Sequence, residues 1–182
     1  MRQSPKKQAI LDQAEELFYQ HGFHAIGVKS ILDKAGVAPM TMYYHFKSKE
    51  EVIKEILMRR EVKYFQHLEE GVNKKDLKAY LKSLLNTHIS WLTIDGFNGC
   101  LFLRAKQEYD GINDEITELS TRHKQTLLKK VEEDLKIFDA PNSLSLQLLI
   151  ILEGLTSMVQ ISDIEEVKRS AKDLLNSITI SK

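Results

Sequence analysis

The feature of this sequence that most restricts its fold is the spacing of its apolar residues, which recur every three to four positions along most of the chain. Helices produce this spacing, whereas half-buried strands alternate apolar and polar residues. Only three prolines and eight glycines occur among the 182 residues, and they separate the periodic segments. The pattern therefore predicts an all-α fold of nine helices, without an internal repeat or a long linker.

Helix-capping residues and breakers give the approximate bounds of these helices. Ser4 and Pro5 begin the first helix, Gly22 and Gly36 end the first and second, and Ser48 caps a long fourth helix. The predicted helices cover about 5–21, 28–35, 39–46, 49 onward, 73–92, 100–109, 112–138, 144–161 and 164–178.

Charge and cysteine content narrow the class of protein. The chain carries 26 basic and 26 acidic residues, but residues 1–60 hold ten basic and seven acidic residues, a net charge of +3. A mildly basic N-terminal third is a weak indication of a polyanionic partner. Cys100 is the single cysteine, so no intrachain disulfide forms, and this suits a reducing cytoplasm. No signal-peptide core precedes Asp12, and Glu153 lies within the most apolar run, 144–161, so that run is expected to be buried in protein.

The segment GVAPMTMYYHFKSK, residues 36–49, has the features of a helix-turn-helix. A short helix ends at Gly36, about three residues form a turn, and Pro39 begins a second short helix that is able to enter a DNA major groove. Met42 and Phe46 are expected to face inward. The residues expected to face DNA bases or phosphates are Ala38, Pro39, Met40, Thr41, Tyr43, Tyr44 and His45. The alternative is that the outward rings only cover apolar surface.

Residues 5–60 resemble the DNA-binding domain of the TetR (tetracycline repressor) family of bacterial transcriptional regulators. The resemblance rests on Ala14…Leu17-Phe18…Gly22-Phe23, on Ile31-Leu32-Asp33-Lys34-Ala35-Gly36-Val37 and on Thr41-Met42-Tyr43-Tyr44-His45-Phe46-Lys47-Ser48-Lys49. It implies a nine-helix fold with a helix-turn-helix domain at 4–64, whose motif spans about 27–46, and a helical effector-binding and dimerisation domain at 65–182.

The resemblance also assigns roles to individual residues. Thr41 and Tyr43 match positions that contact DNA, Lys49 matches a lysine that holds a phosphate, and Lys29 matches a position that often touches DNA. Gly27 and Ala38 depart from the family pattern, since Ser or Thr is usual at the first and Ser is common at the second. We therefore expect the second and third helices to lack side-chain caps.

Helix-turn-helix proteins usually read two half-sites as two-fold dimers, and the last two helices are the predicted dimer interface. The run 144–161 has more apolar surface than one small monomer needs to bury, and two copies of the helix pair would form a four-helix bundle. The predicted interface residues are Leu148, Ile151, Gly154, Leu155, Met158, Val167, Ala171 and Leu174. The alternative is that these residues form an ordinary internal core.

Helices four to eight resemble the ligand-binding part of the family, and an apolar or aromatic small-molecule effector is expected there. The candidate pocket residues are His88, Trp91, Cys100, Phe102, Tyr109 and His123. Such residues on an apolar helix face are also common in a packed core. A redox role for Cys100 has no support in the sequence, because no basic neighbour is evident along the chain.

These observations predict a ligand-responsive, sequence-specific DNA-binding transcriptional regulator, a homodimeric repressor released from a palindromic operator by its effector. An enzyme is not expected, because the sequence lacks the phosphate-loop, nucleophile-elbow and zinc-protease motifs. No cofactor or metal site is expected, and His21 and His24 have no acidic ligand pattern near them. The alternative function is an all-helical protein-interaction module that retains the fold without reading DNA.

Overall fold

The computed structural model describes residues 4–94 and 96–180, and this part of the chain is all-α. Its nine helices are α1 (Pro5–His21), α2 (Val28–Ala35), α3 (Pro39–His45), α4 (Lys49–Gly71), α5 (Leu77–Ile94), α6 (Leu101–Tyr109), α7 (Asp114–Lys136), α8 (Ser143–Met158) and α9 (Ile164–Ile180). The predicted number and order of the helices are confirmed within these residues. None of these helices is both long and apolar enough to cross a membrane.

Polar side chains ahead of the helices explain where the predicted starts were wrong. The predicted fifth helix began at Asn73, but α5 begins after Asp76, whose Oδ1 accepts a hydrogen bond from the Ala79 amide at 2.8 Å. The predicted seventh helix began at Ile112, but Asn113 Oδ1 accepts from the Ile116 amide at 3.1 Å, so α7 begins after it. Both residues are N-caps, which periodicity alone does not reveal because they lie outside the apolar repeat.

The chain divides into two compact units. The first unit combines the chain up to Val62 with Leu101–Arg122, and the second combines Lys63–Cys100 with the chain from His123 onward. The helix α6 therefore packs in the unit that contains the helix-turn-helix, whereas it falls within the predicted C-terminal domain, 65–182. The predicted boundary between two domains at residues 64 and 65 remains a prediction. The two compact units do not follow it, because each combines two separate stretches of the chain.

The core of the first unit is apolar and contains a buried ion pair. Ile10, Ala14 and Phe18 of α1 and Met42 of α3 are fully buried there, as the helical spacing predicts. The Arg60 guanidinium donates to Glu15 at 3.0 Å and lies 4.7 Å from the centre of the Tyr19 ring. Because both charges of this pair are removed from water, loss of one partner would leave the other unpaired, and such losses cost about 3–5 kcal/mol. The pair fixes α4 against α1.

The second unit is built around α5, α8 and α9, which pack on one another. Four of the eight predicted dimer residues lie in this internal core rather than on its surface. They are Leu148, Leu155, Val167 and Ala171. The prediction is wrong for these four, because the inner side of α8 already packs against its own chain. Of the other four, Ile151 is only partly buried, while Gly154, Met158 and Leu174 are exposed.

Candidate nucleic-acid interface

The turn between α2 and α3 has the backbone geometry that the sequence predicts. Gly36 adopts left-handed φ and ψ angles of 63° and 35°, a conformation that glycine adopts without a steric penalty. Its amide donates to the Asp33 carbonyl oxygen at 3.4 Å, and the Val37 amide donates to the Leu32 carbonyl oxygen at 3.1 Å. These bonds close the end of α2 and direct the chain into α3 two residues later.

Both short helices begin without a side-chain cap, as the sequence predicts. Gly27 and Ala38 are the N-cap residues of α2 and α3, and neither makes a side-chain cap hydrogen bond. Pro39 occupies the first turn of α3, where its missing amide hydrogen leaves no bond unmade. The start of α3 therefore depends on proline geometry and on burial of Met42 rather than on a polar cap.

Three large side chains of α3 project into solvent. Met40 is 81% exposed, Tyr44 is 83% exposed and Tyr43 is 60% exposed, while Met42 and Phe46 are buried. Ala38, Pro39 and Lys29 are also exposed, whereas Thr41 and His45 are half-buried. The His45 ring lies between Tyr44, at a centroid distance of 5.0 Å, and Phe46, at 6.4 Å. Outward placement is thus confirmed for both tyrosines and is only partial for His45.

This surface carries groups that suit the edges and backbone of duplex DNA. A thioether and a threonine methyl are able to contact thymine methyl groups, and phenol groups are able to donate to phosphate oxygens. Exposed aromatic and apolar side chains that lie together often mark a binding surface. The roles assigned to Thr41, Tyr43, Tyr44 and His45 remain predictions, and their exposure is compatible with them.

The two lysines that follow α3 differ in their surroundings. Lys47 is exposed, but the Lys49 ammonium donates to the Phe23 carbonyl oxygen at 2.6 Å and lies 5.7 Å from the centre of the Phe18 ring. Partial burial lowers the pKa of Lys49 from its usual value. The phosphate contact that the family resemblance implies for Lys49 would require its ammonium to leave this carbonyl.

Backbone amides at the start of α4 are also hydrogen-bonded to side chains of the same segment. Ser48 Oγ accepts a hydrogen bond from the Glu51 amide at 3.4 Å, which confirms Ser48 as the predicted cap. In return the Glu51 carboxylate accepts from the Lys47 amide at 2.8 Å. This reciprocal arrangement resembles a capping box and stabilises the connection between α3 and α4.

Two residues of α6 hold the loop between α1 and α2, and sequence reasoning missed them. The Glu108 carboxylate accepts from the Phe23 amide at 3.1 Å and from the His24 amide at 2.6 Å. Arg104 Nη1 donates to the Phe18 carbonyl oxygen at 3.2 Å and to the Tyr19 carbonyl oxygen at 2.8 Å. The partners are about 85 residues apart, so no local pattern could have connected them.

The predicted pocket residue His88 is part of a fully buried hydrogen-bond chain in the second unit. Thr156 Oγ1 donates to the Leu152 carbonyl oxygen at 2.8 Å, so it accepts from His88 Nε2–H, also at 2.8 Å. His88 Nδ1 then accepts from the Tyr64 hydroxyl at 2.9 Å. Burial and the positive charge of Lys124 lower the pKa of His88 to about 3. His88 is therefore a neutral structural residue in the folded chain.

Aromatic rings gather beside this chain of hydrogen bonds. The centre of the Tyr64 ring lies 5.3 Å from that of Trp91 and 5.6 Å from that of His123. The centres of the His123 and Phe65 rings are also 5.6 Å apart. Tyr64 and Phe65 belong to α4 and were not among the predicted pocket residues. The structure thus brings three of the six candidates together: His88, Trp91 and His123.

A half-buried ion pair lies in the same unit. Lys124 Nζ donates to Glu153 Oε1 at 2.5 Å, and Glu153 Oε2 is buried without a hydrogen-bond partner among the described residues. Burial alone would lower the pKa of Lys124, but Cys100 and Glu153 raise it above its usual value. The fold therefore supplies the basic neighbour of Cys100 that the sequence did not show. Cys100 itself is partly exposed.

The remaining candidates lie in the first unit. Tyr109 is buried against Phe23 and His24, at centroid distances of 6.0 Å and 5.0 Å, and Phe102 is also buried. Burial, with Glu50 and Glu108 nearby, raises the pKa of Tyr109 to about 12. The ring of Tyr109 is thus used to pack the α1–α2 loop, and we leave it out of the proposed pocket. Within 4–94 and 96–180, no three His, Cys, Asp or Glu side chains are grouped as metal ligands would be.

Comparison with known sequences connects this geometry to one family. The profile of the bacterial regulatory proteins of the tetR family matches residues 10–56, which include α2, α3 and the turn between them. The fatty acid metabolism regulator protein of Bacillus subtilis is 32% identical over 92 residues, which are 50% of this chain and 47% of that protein. The regulator UidR of Escherichia coli K12 is 35% identical over 72 residues, 38% of this chain and 37% of that protein. The matched segments thus span less than half the length of either relative.

Comparison of whole folds extends the similarity beyond the N-terminal helices. A TetR-family transcriptional regulator from Streptomyces coelicolor superposes with a TM-score of 0.86 at 22% identity, over 95% of this chain and 93% of that one. At 22% identity the structural likeness establishes the fold alone. The family profile covers the N-terminal residues 10–56. Residues 10–56 thus match the tetR family of bacterial regulatory proteins, and the chain as a whole shares the fold of a TetR-family regulator.

Proposed function

We propose that this protein is a ligand-responsive, sequence-specific DNA-binding transcriptional regulator, a repressor released from a palindromic operator by a small-molecule effector. The observation that carries the proposal is the exposure of Met40, Tyr43 and Tyr44 on the second helix of a family-matched helix-turn-helix. Because bacterial operators lie in the cytoplasm, the proposal places the protein there. The proposed role of the protein is to control transcription, without catalysing a reaction.

In this proposal α3 enters the major groove. Pro39, Met40 and Thr41 face base edges, and Tyr43, Tyr44 and His45 face the backbone, with Ala38 at the entry to the groove. Lys29 and Lys47 are exposed and able to contact phosphates. Lys49 holds the Phe23 carbonyl oxygen instead, so its contribution to binding is indirect.

The proposed homodimer pairs the outer sides of α8 and α9 with those of a second copy. Leu146, Ile150, Gly154 and Met158 follow one another at intervals of four along α8, and all four are exposed. Ile161, which follows α8, is 80% exposed, and Leu174 of α9 is 55% exposed. A Cβ atom added to Gly154 would meet nothing within 4 Å, so the helix surface is open there for a close approach. A palindromic operator needs such a two-fold partner.

The proposed effector is a small apolar or aromatic molecule that binds in the second unit. The support is the group of rings around Tyr64, with Trp91 only partly buried, and the half-buried polar end formed by Cys100, Lys124 and Glu153. Aromatic walls with a few polar groups are the usual lining of small-molecule sites. His88 holds the Tyr64 side chain in place, since it is hydrogen-bonded to Tyr64 and to Thr156.

Selection from a random duplex DNA pool tests the proposal. We expect a palindromic sequence to be enriched, and its affinity to fall steeply as salt rises, because phosphate contacts release counterions. The triple variant Thr41→Ala, Tyr43→Phe, Tyr44→Ala keeps the buried Met42 and Phe46 and should lose the enrichment while melting at a similar temperature. If the unaltered chain enriches no sequence after native mass spectrometry has shown it free of ligand, the interaction-module alternative is favoured instead.

A further inference from the structure

The loop between α1 and α2 is held by α6, a helix outside the family-matched residues 10–56. The two Glu108 oxygens accept one hydrogen bond each from consecutive amides, those of Phe23 and His24. A carboxylate that receives two amide hydrogens forms charge-assisted bonds, which are roughly twice as strong as neutral ones. The loop is therefore fixed in position by one side chain of a distant segment.

The second half of this attachment is Arg104, one helical turn before Glu108. Its Nη1 donates to the carbonyl oxygens of Phe18 and Tyr19, which belong to the last turn of α1. The last carbonyls of a helix lack intrahelical partners and carry partial negative charge, so a guanidinium stabilises them. Arg104 and Glu108 thus bind the end of α1 and the loop that follows it with opposite charges.

Gly22 shows how closely α6 approaches. Its φ is +89°, and a Cβ atom built on it would lie 2.8 Å from Glu108 Oε1. Its backbone conformation favours glycine, and any larger residue would also displace the Glu108 carboxylate. The Tyr109 ring covers the same loop by packing against Phe23 and His24.

The loop connects this attachment to the helix-turn-helix in two directions. It leads directly through Ile26 and Gly27 into α2, and the Phe23 carbonyl oxygen accepts the hydrogen bond of Lys49 at the start of α4. The position of Phe23 thus affects both helices that flank the reading helix α3. Since α6 follows Cys100, where the chain leaves the second unit, the attachment is covalently continuous with that unit.

We propose that Glu108 and Arg104 are positioning residues for DNA reading: through the α1–α2 loop they set the placement of the helix-turn-helix, so operator affinity depends on α6. This inference rests on the proposed operator binding. Neither residue contacts DNA in this proposal. Their effect is on the arrangement of α2 and α4 around α3.

Two variants whose charge changes are opposite distinguish an effect of loop position on DNA affinity from a long-range electrostatic effect. Glu108→Gln removes a negative charge and Arg104→Gln removes a positive charge. Long-range electrostatics would make the first bind DNA more tightly and the second less tightly. Positioning predicts that both variants bind the selected operator about tenfold more weakly, the effect of losing one charge-assisted hydrogen bond. Binding to random duplex DNA should change little in either variant.

Asp110→Asn and Lys106→Gln are the matched controls. These two residues lie on the same segment, pair with each other at 3.4 Å and make the same charge changes. We expect both to leave operator affinity within about twofold, because exposed pairs contribute little. Affinities are measured on the active fraction, determined by stoichiometric titration, so that a variant that is merely less stable shows a smaller active fraction and an unchanged dissociation constant.

Amide hydrogen exchange at Phe23 and His24 gives a readout that needs no DNA. Exchange at both amides should accelerate in Glu108→Gln and stay unchanged in Asp110→Asn. Unchanged operator affinity in Glu108→Gln and Arg104→Gln, or effects of opposite sign in the two, would overturn the inference while leaving the proposed function intact. Failure of the unaltered chain to bind any duplex sequence would overturn the proposed function, and the inference with it.

Discussion

The buried histidine His88 shows how one residue links stability to pH. Both of its ring nitrogens are hydrogen-bonded: Nε2 donates to Thr156, and Nδ1 of the neutral ring accepts from the Tyr64 hydroxyl. Lys124 is the charged group that affects it, and that positive charge together with burial lowers the pKa of His88 to about 3. The ordinary pKa of histidine in an unfolded chain is about 6.5.

We therefore expect His88 to reduce stability in acid. Between about pH 6.5 and 3 the unfolded chain binds a proton at this residue and the folded chain does not, so the free energy of unfolding falls as pH falls, by up to about 1.4 kcal/mol per pH unit. Urea unfolding at several pH values measures this slope. His88→Gln should have a shallower slope than the unaltered chain across this range, and the surface variant His21→Gln should match the unaltered chain. Parallel slopes in all three proteins would contradict the assignment.

Lys49 illustrates a residue whose role differs between family resemblance and structure. The resemblance assigns its ammonium to a phosphate, but in the folded chain it donates to the Phe23 carbonyl oxygen. A lysine that neutralises a phosphate contributes about 0.9 to the slope of log affinity against log salt. A lysine that holds a loop contributes to affinity without contributing to that slope.

We expect Lys49→Ala to weaken operator binding severalfold and to leave the salt slope unchanged, whereas Lys47→Ala, at an exposed lysine, should make the slope shallower by about 0.9. The measurement is the operator dissociation constant over a range of salt concentrations. Equal losses of slope in the two variants would show that Lys49 leaves Phe23 when DNA binds, in which case the family assignment is correct.

At the scale of helices, the sequence predicted most of the fold because each helix carries its own signal. Within residues 4–94 and 96–180, apolar periodicity located each of the nine helices. Pro5, Gly22, Gly36 and Ser48 marked bounds of α1, α2 and α4 within a residue. The starts of α5 and α7 were predicted early, since the deciding hydrogen bonds of Asp76 and Asn113 are side-chain caps outside the repeat. Local sequence patterns therefore suffice to predict that a helix is present, and they predict its first and last residues least accurately.

The candidate site was predictable only where it is local. The helix-turn-helix lies within a short segment, so the inward Met42 and Phe46 and the outward Tyr43 and Tyr44 follow from spacing. The Glu108 and Arg104 contacts join segments about 85 residues apart, and periodicity contains no information on such pairs. The same limit explains Tyr109, an aromatic on an apolar stripe whose partner could be known only from tertiary structure.

At the scale of the whole molecule, the apolar surface of α8 is larger than one chain buries. Its inner side supplies Leu148, Leu152 and Leu155 to the core of the second unit, while Leu146 and Ile150 remain exposed on the other side. Sequence alone could not divide these residues between the two sides, because α8 is apolar nearly all round. Exposed apolar strips of this kind are typical of association surfaces.

The proposed dimer predicts a mass of two 21.0 kDa chains in analytical ultracentrifugation at micromolar concentration. Ile150→Glu should convert it to a monomer, because two-fold pairing would bury a carboxylate from each copy, and such burial raises the dissociation constant by at least about a hundredfold. Ile137→Glu is the matched control, since Ile137 is equally exposed but follows α7 and lies outside the strip. It should remain dimeric.

Gly154→Leu separates loss of the dimer from loss of the fold. Within the chain a side chain at this position meets open space, and replacing a helical glycine with leucine raises helix propensity by roughly 0.8 kcal/mol, so the folded monomer should be stabilised. In the dimer the same side chain would hold the two α8 helices apart and weaken association. A more stable, monomeric Gly154→Leu that no longer binds the palindromic operator tightly would support both the dimer and its role in DNA reading. A variant that stays dimeric would exclude a close approach of two copies at Gly154.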